Sequence, residues 1–321
     1  MSGSVTYLES IVIGLVQGVT ELFPVSSLGH AVLIPAFIGG GWASTMSLTA
    51  DKSPYLALVV ALHVATAAAL LLYFRREWVR IIKGLISSVR TRQISTPYEK
   101  LAWLLVLGTI PVGIAGLILD TVLQKTLGKP VWAGLFLALN GLLLFAAERL
   151  RSSQNAKEGR AGRGGGGGER RKKAEPVPEL DRRGRELPPE IASDVRLSRL
   201  TRKTAVTLGA AQILGLFPGL SRSGSTIVAG LFKGLHHEDA ARFAFLLATP
   251  VILLAGLYKL PELAEPANSA VVGPAIAGSI TAFIAAYVSV RFLTKYFETR
   301  TLTPFAIYCV VVGIVSVAYF A

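Results

Sequence analysis

Apolar runs long enough to cross a membrane recur along the chain. A membrane-spanning helix needs about 20 mostly apolar residues, and six segments approach or meet this length with only short polar stretches between most of them. They are 55–74, 101–119, 131–147, 240–258, 271–293 and 304–320. The pattern therefore predicts an all-α polytopic membrane protein with six transmembrane helices.

Two further apolar stretches, 7–38 and 204–234, are interrupted near their middle. The interruptions are Glu-Leu-Phe-Pro-Val-Ser-Ser at 21–27 and Phe-Pro-Gly-Leu-Ser-Arg-Ser at 217–223. Each half of a stretch has roughly 10–18 residues, which is too short to cross the hydrocarbon and fits a re-entrant segment. We therefore predict two re-entrant helical hairpins whose tips lie within the membrane.

The order of these elements indicates an internal repeat. Each half of the chain has one hairpin followed by three spans, and because three is odd, the second half is expected to be inverted relative to the first. Leu22-Phe23-Pro24-x-x-Ser27 also recurs as Leu216-Phe217-Pro218-x-x-Ser221. The predicted organisation is a first repeat at 1–150, a linker at 151–200 and a second repeat at 201–321. The Gly/Arg-rich linker cannot form a core and is expected to be disordered.

Composition agrees with the membrane assignment, since 52% of the residues are hydrophobic and 17% are charged. A soluble enzyme and a disordered chain are both excluded on this ground. The net charge of +13 does not indicate nucleic-acid binding, because 16 of the 33 Lys and Arg residues lie in 148–203 without interleaved aromatic residues. With the N-terminus outside, the inside loops hold 28 of these cations and the outside segments hold 4, as the positive-inside rule requires.

The first tip brings several reactive groups into one apolar hairpin. Gln17 and Glu21 are four residues apart and share a helix face. Ser26 or Ser27 stands where an N-cap would begin the next helix, whose free N–H groups can bind an anion. His30 follows Ser27 by three residues. Ionisable groups within a membrane segment indicate a functional site, although Glu21 could instead form a purely structural ion pair with the second tip.

The second tip has the composition of a phosphate cradle. Ser221, Arg222, Ser223, Ser225 and Thr226 follow the proline and are expected to begin a helix. Arginine suits multidentate recognition of phosphate oxygens better than lysine does. Together, the two tips would supply a nucleophile or base, an acid and an anion clamp, which suits hydrolysis of a phosphate or diphosphate on a lipid.

Both motifs resemble those of the undecaprenyl-diphosphatase family, also called bacitracin resistance proteins. The matching residues are Gln17-x-x-x-Glu21, Pro24-x-Ser26-Ser27-x-Gly29-His30 and Pro218-Gly219-x-Ser221-Arg222-Ser223-Gly224-x-Thr226. The resemblance covers both halves of the chain. It implies a multi-pass enzyme of the bacterial plasma membrane that hydrolyses undecaprenyl diphosphate, recycling the lipid carrier for cell-wall synthesis. It also implies the inverted repeat, an active site facing outside, and a divalent cation, Mg²⁺ or Ca²⁺.

The resemblance also assigns roles to the tip residues. The expected catalytic residues are Glu21, Ser27, His30 and Arg222. The expected substrate-binding residues are Gln17, Ser26, Ser221, Ser223 and Thr226. Glu21, with Gln17, is the expected cation ligand, and because Gln17 occupies a position where glutamate is also found, the site carries less negative charge for a metal. Either Ser27 or water attacks the phosphorus, and either His30 or Glu21 takes the proton.

Other interpretations are weighed against this one. A transporter or flippase for a lipid phosphate or another anion could share the same architecture, but it would need no nucleophile beside a proton donor. His63 is interpreted as an interfacial histidine rather than a residue lining the site, and Asn140 as a hydrogen bond between packed helices. His236 and His237 resemble a metal cluster in composition only. The expected partners are a polyprenyl diphosphate lipid and membrane lipids, without nucleic acid, and a homodimer is left open.

Overall fold

A computed structural model describes residues 5–46, 54–161, 186–263 and 269–321. The regular elements in these ranges are thirteen α-helices and one 3-10 turn. They are α1 (Tyr7–Thr20), α2 (Ser27–Ile38), α3 (Gly40–Thr45), α4 (Pro54–Tyr73), α5 (Arg75–Thr91), α6 (Pro97–Leu127), α7 (Pro130–Ala161), α8 (Pro189–Ser198), α9 (Arg202–Ala211), the 3-10 turn (Gln212–Leu216), α10 (Arg222–Phe232), α11 (His237–Leu263), α12 (Ser269–Thr299) and α13 (Thr303–Phe320).

Six of these helices are long and apolar enough to cross a membrane. They are α4, α6, α7, α11, α12 and α13, and each contains one of the six predicted spans except for single residues at its margin. The prediction of an all-α polytopic membrane protein is therefore confirmed.

The chain also turns at both predicted interruptions. α1 ends at Thr20, and a turn over 21–25 leads into α2. α9 ends at Ala211, and the 3-10 turn and a second turn lead into α10. Each predicted hairpin is thus a pair of short helices joined at a polar tip, and three spanning helices follow each pair along the chain.

The first helix of each hairpin packs against a spanning helix of the other half. α1 lies along α12, and α9 lies along α6. Both crossings are made by glycines, because a methyl group on Gly14 would overlap the carbonyl of Gly278 and one on Gly209 would overlap the carbonyl of Gly108. The two halves therefore make the same kind of close backbone contact with each other. Their inverted relation stays a prediction.

Helical structure extends into both ends of the predicted linker. α7 continues through Ala161 and α8 begins at Pro189, while 162–185 lie outside the described residues. α8 is attached to α11 by buried polar contacts. Ser193 donates to Asp239 at 2.6 Å, and the Arg242 guanidinium donates to Asp194 at 2.8 Å. The second end of the linker is therefore fixed against the membrane helices.

Candidate active site

The two hairpin tips meet in the interior of the protein. Ser26, the N-cap of α2, accepts a hydrogen bond from the backbone N–H of Gly29 at 3.2 Å. The same hydroxyl accepts the N–H of Gly219 in the other tip at 3.1 Å. Gly219 has a φ of +108°, and Ser26 has a φ of +69°, which is a strained conformation for a residue with a side chain. The first tip is thus held in an unfavourable backbone conformation by its contact with the second.

Asn140 of α7 joins the tips a second time. Its amide nitrogen donates to the carbonyl of Pro24 at 2.9 Å, and its amide oxygen accepts the backbone N–H of Ser221 at 3.0 Å. Asn140 is 1% exposed, so water does not replace either bond. This one side chain therefore sets the start of α10 relative to the start of α2.

The Glu21 carboxylate is the centre of the site. Oε1 binds the guanidinium of Arg222, which comes from the other tip. Oε2 accepts the Ser27 hydroxyl at 2.5 Å and the Gln17 amide at 2.9 Å, and it lies 3.3 Å from Nε2 of His63. Groups from α1, α2, α4 and α10 thus surround one buried carboxylate, as a charge within a membrane requires.

Two of the side chains that contact this carboxylate, Arg222 and His63, are partly exposed. The Glu21 side chain is 4% exposed, whereas Arg222 and His63 are 19% and 25% exposed. Both residues therefore contact Glu21 while part of each side chain stays exposed.

His30 does not contact Ser27 in the structure. Its Nδ1 lies 2.7 Å from the carbonyl of Ser26, and its Nε2 lies 2.7 Å from the hydroxyl of Tyr308 on α13. Because a carbonyl only accepts, Nδ1 of the neutral imidazole carries the proton and Nε2 accepts from Tyr308. The two rings also stack, with centroids 5.7 Å apart. The group that contacts the Ser27 hydroxyl is therefore Glu21.

The hydroxyls of the second tip build the first turn of α10. Ser221 caps the helix by accepting the N–H of Gly224 at 3.1 Å, and Thr226 donates to the carbonyl of Arg222 at 2.9 Å. The Ser223 hydroxyl lies 3.1 Å from the Ser221 hydroxyl and donates to the carbonyl of Phe23 in the first tip. The Ser225 hydroxyl is buried without a partner among the described residues. The turn thus presents free backbone N–H groups and one unused donor beside Arg222.

Two residues at the site, His63 and Tyr308, differ from what the sequence pattern predicts. The pattern predicts His63 at the membrane interface, but its Nε2 lies 3.3 Å from the Glu21 carboxylate. The predicted hydrogen bond of Asn140 to a neighbouring helix is present, since its amide nitrogen donates to Cys309 of α13 at 3.4 Å. The same side chain also bonds the backbones of the two tips, which the pattern does not predict. The sequence does not indicate a role for Tyr308, because this residue is one of many in an apolar run. His237, by contrast, is the first residue of α11 and contacts Glu148 of α7 at 2.6 Å.

The site can accommodate a hard divalent cation only with help from a ligand. No group of three or more His, Cys, Asp or Glu residues is placed to hold a metal within the described ranges. Glu21 and Gln17 do offer oxygen ligands, which Mg²⁺ and Ca²⁺ prefer. Mg²⁺ commonly binds one or two protein carboxylates together with substrate phosphates. The donor set therefore fits a cation whose remaining ligands are phosphate oxygens.

Comparison with known proteins gives one consistent result. A family model described as bacitracin resistance protein BacA matches residues 10–315. An undecaprenyl-diphosphatase of Mycolicibacterium paratuberculosis is 55% identical over 321 residues, covering 100% of this chain and 99% of that protein. Undecaprenyl-diphosphatase 2 of Frankia alni is 48% identical and covers 98% of each. Undecaprenyl-diphosphatase 2 of Burkholderia ambifaria is 37% identical, covering 97% of this chain and 95% of that protein.

The Asn140 contacts predict graded loosening of the two tips. Asn140→Asp keeps an acceptor for Ser221 but loses the donor to Pro24, whereas Asn140→Ala loses both. An unsatisfied buried group costs about 1–3 kcal/mol. Cys309 is the only cysteine of the chain, is fully buried and touches Asn140, so its alkylation by N-ethylmaleimide reports the opening. We expect the alkylation rate to rise at least about fivefold in the aspartate variant and further in the alanine variant.

Ser316→Ala is the matched control, since Ser316 is buried on the same helix as Cys309 and bonds only within that helix. This variant should leave Cys309 protected. Equal alkylation rates in wild type and Asn140→Ala would contradict the assigned contact.

Proposed function

The chain belongs to the bacitracin resistance protein BacA family, and from this premise we propose how it hydrolyses undecaprenyl diphosphate to undecaprenyl phosphate and inorganic phosphate. The protein is a multi-pass membrane hydrolase, and its product is the lipid carrier for cell-wall synthesis. The observation that carries the mechanism is the Ser27–Glu21–Arg222 arrangement. It joins a nucleophile, a base and an anion-binding group drawn from both halves of the chain.

We propose that Ser27 is the nucleophile and Glu21 its base. Glu21 Oε2 takes the Ser27 proton along the existing 2.5 Å hydrogen bond. The Ser27 oxygen then forms a bond to the terminal phosphorus, and the bond from that phosphorus to the bridging oxygen breaks. Undecaprenyl phosphate leaves with the bonding electrons, and water later hydrolyses the phosphoserine to phosphate and free serine. The 2.5 Å contact favours Glu21 over His30 as the proton acceptor.

Arg222 is proposed to exchange partners when the substrate binds. In the structure it neutralises Glu21, and its partial exposure lets it turn toward an incoming diphosphate. The planar guanidinium can hold two phosphate oxygens at once. The N–H groups at the start of α10 and the free Ser225 hydroxyl add further donors. Charge that develops on the transferred phosphoryl group is thereby stabilised.

A divalent cation is proposed to bind with the diphosphate. Glu21 and Gln17 would be its protein ligands, and when bound it would neutralise phosphate charge. The remaining positions Ser26, Ser221, Ser223 and Thr226 are proposed to act by holding the two tips and Arg222 in place. Their hydroxyls are engaged with the backbone or with each other, which supports this positioning role.

The bacterial plasma membrane is the proposed location, with the site open to the outside. The supporting observation is the distribution of cations, since the segments assigned to the outside hold 4 of the 33 Lys and Arg residues. The hairpin tips would then meet a diphosphate headgroup that is presented from the outer leaflet.

Phosphate release tests the reaction and its nucleophile together. Purified protein in detergent should release phosphate from undecaprenyl diphosphate, and acid quenching should trap a phosphate on the peptide that contains Ser27. Ser27→Ala should lower turnover about a thousandfold or more, whereas Ser44→Ala, at an exposed serine of α3, should not. Absence of phosphate release would contradict hydrolysis. Release without phosphoserine would contradict Ser27 as the nucleophile and leave water in that role.

Arg222→Lys tests the anion clamp. The substitution keeps the charge that compensates Glu21 but removes the bidentate fork, so we expect kcat/KM to fall about a hundredfold with little loss of folded protein. Arg291→Lys changes an exposed arginine on α12 in the same way and should be neutral. Near-normal turnover by Arg222→Lys would show that the guanidinium does not bind the phosphate.

Tyr308→Phe tests the role of the histidine. The phenyl ring preserves the stacking on His30 but removes the hydroxyl that donates to Nε2. We expect kcat to fall about tenfold with an unchanged KM. Ser26 and Ser27 begin the helix that carries His30, so loss of the Tyr308 bond to His30 also disturbs the position of the Ser27 hydroxyl. Tyr319→Phe, on the same helix and 67% exposed, is the matched control. Equal kcat values in the two variants would exclude a contribution of the Tyr308–His30 bond.

A further inference from the structure

The helix α5 has a buried face, an exposed apolar stripe and a row of exposed cations. It begins at Arg75, directly after α4 ends at Tyr73, and packs against the first residues of α6. Ser87 donates to Glu99 at 2.9 Å, and the Trp103 indole donates to Ser88 at 2.9 Å. Because α4 and α6 are both spanning helices, α5 lies where one crosses out of the membrane and the next enters it.

One face of α5 is buried against α6. Ile81, Gly84 and Ser88 lie on this face, and a methyl group on Gly84 would lie only 2.9 Å from the backbone of Glu99. The contact therefore leaves no freedom for α5 to turn about its own axis. The orientation of its other faces is set by this packing.

The opposite face is apolar and uncovered. Val79, Ile82, Ile86 and Val89 recur at spacings of three and four residues, which places them in a single stripe. They are 51%, 49%, 61% and 60% exposed. Four large aliphatic side chains in one exposed row, at the level where α4 and α6 leave the membrane, fit the acyl boundary of a bilayer.

A row of cations runs beside the apolar stripe. Arg76, Lys83 and Arg90 are spaced seven residues apart, so they lie along one line of the helix, and all three are exposed. The only acidic residue of α5 is Glu77, which is buried and lies 3.3 Å from the Arg242 guanidinium. The exposed charge on α5 is therefore entirely positive.

We propose that α5 is a binding surface for anionic phospholipid. The helix lies in the plane of the membrane interface with Val79, Ile82, Ile86 and Val89 among the acyl chains. Arg76, Lys83 and Arg90 then bind the phosphates of anionic headgroups along the same edge. The apolar stripe and the cationic row adjoin each other, which matches the order of acyl chain and headgroup in a lipid molecule.

Charge favours a bilayer over a second copy of the chain as the occupant. A two-fold contact through the apolar stripe would use the same surface of both copies, so each copy would bring its own cationic row to the contact. The two cationic rows would then border the same small interface and repel each other. A surface of phosphatidylglycerol supplies the opposite charge.

Lipid retention after extraction tests the proposal. The full-length protein is reconstituted into mixed phosphatidylcholine and phosphatidylglycerol vesicles and extracted in mild detergent, and the bound lipid is measured by native mass spectrometry. Arg76→Glu/Lys83→Glu/Arg90→Glu should lower retained phosphatidylglycerol at least about fivefold. The control Arg291→Glu/Lys295→Glu/Arg300→Glu changes net charge equally at exposed cations of α12 and the turn after it, and it should retain the lipid.

A second measurement addresses the apolar stripe. A fluorophore on Ile86→Cys should be quenched by nitroxide-labelled lipids, and the buried Cys309 leaves the introduced thiol as the reactive one. Equal phosphatidylglycerol loss in both charge-reversal variants, or no loss in either, would overturn the proposal. Quenching by a nitroxide on a second copy instead of by lipid would also overturn it. Phosphatase turnover, measured in parallel, is independent of these outcomes because α5 contributes no residue to the active site.

Discussion

The buried carboxylate of Glu21 imposes the constraint on which the rest of the site depends. An ionised carboxylate without compensation in an apolar interior costs several kcal/mol, and Glu21 is 4% exposed. Its compensating cation, Arg222, lies 201 residues away along the chain. The two hairpins must therefore meet for either charge to be tolerated. Assembly of the two halves and formation of the Glu21–Arg222 pair are consequently one event.

The charge pair alone would not fix the geometry, and neutral hydrogen bonds do this. Ser26 accepts the Gly219 N–H, and Asn140 bonds the backbone of both tips. These contacts hold main-chain atoms and do not involve the Arg222 guanidinium. Close glycine crossings between α1 and α12 and between α9 and α6 fix the first helix of each hairpin. In the proposed mechanism, this backbone frame stays fixed while the Arg222 side chain changes partners.

The parts of this arrangement that depend on local chemistry could be predicted from the sequence. The six spans follow from length and apolarity, and the tips follow from prolines, N-capping serines and ionisable residues in apolar surroundings. His63, Asn140 and Tyr308 depend instead on how distant helices are rotated against each other. Tyr308 lies 278 residues from His30, and no periodicity within α13 distinguishes it from the other residues of an apolar run. Such contacts are properties of packing, which a local pattern does not encode.

The rotation of α13 also affects which of the two candidate bases, His30 or Glu21, can accept the Ser27 proton. With Nδ1 bound to the carbonyl of Ser26 and Nε2 bound to Tyr308, His30 has no nitrogen available for Ser27. Glu21 has the contact, and in the structure it is paired with Arg222. In the proposed mechanism, Arg222 turns to a diphosphate, so that Glu21 loses its compensating cation and attracts the Ser27 proton more strongly. On this proposal, binding of the anion activates the base at the moment when the nucleophile must lose its proton.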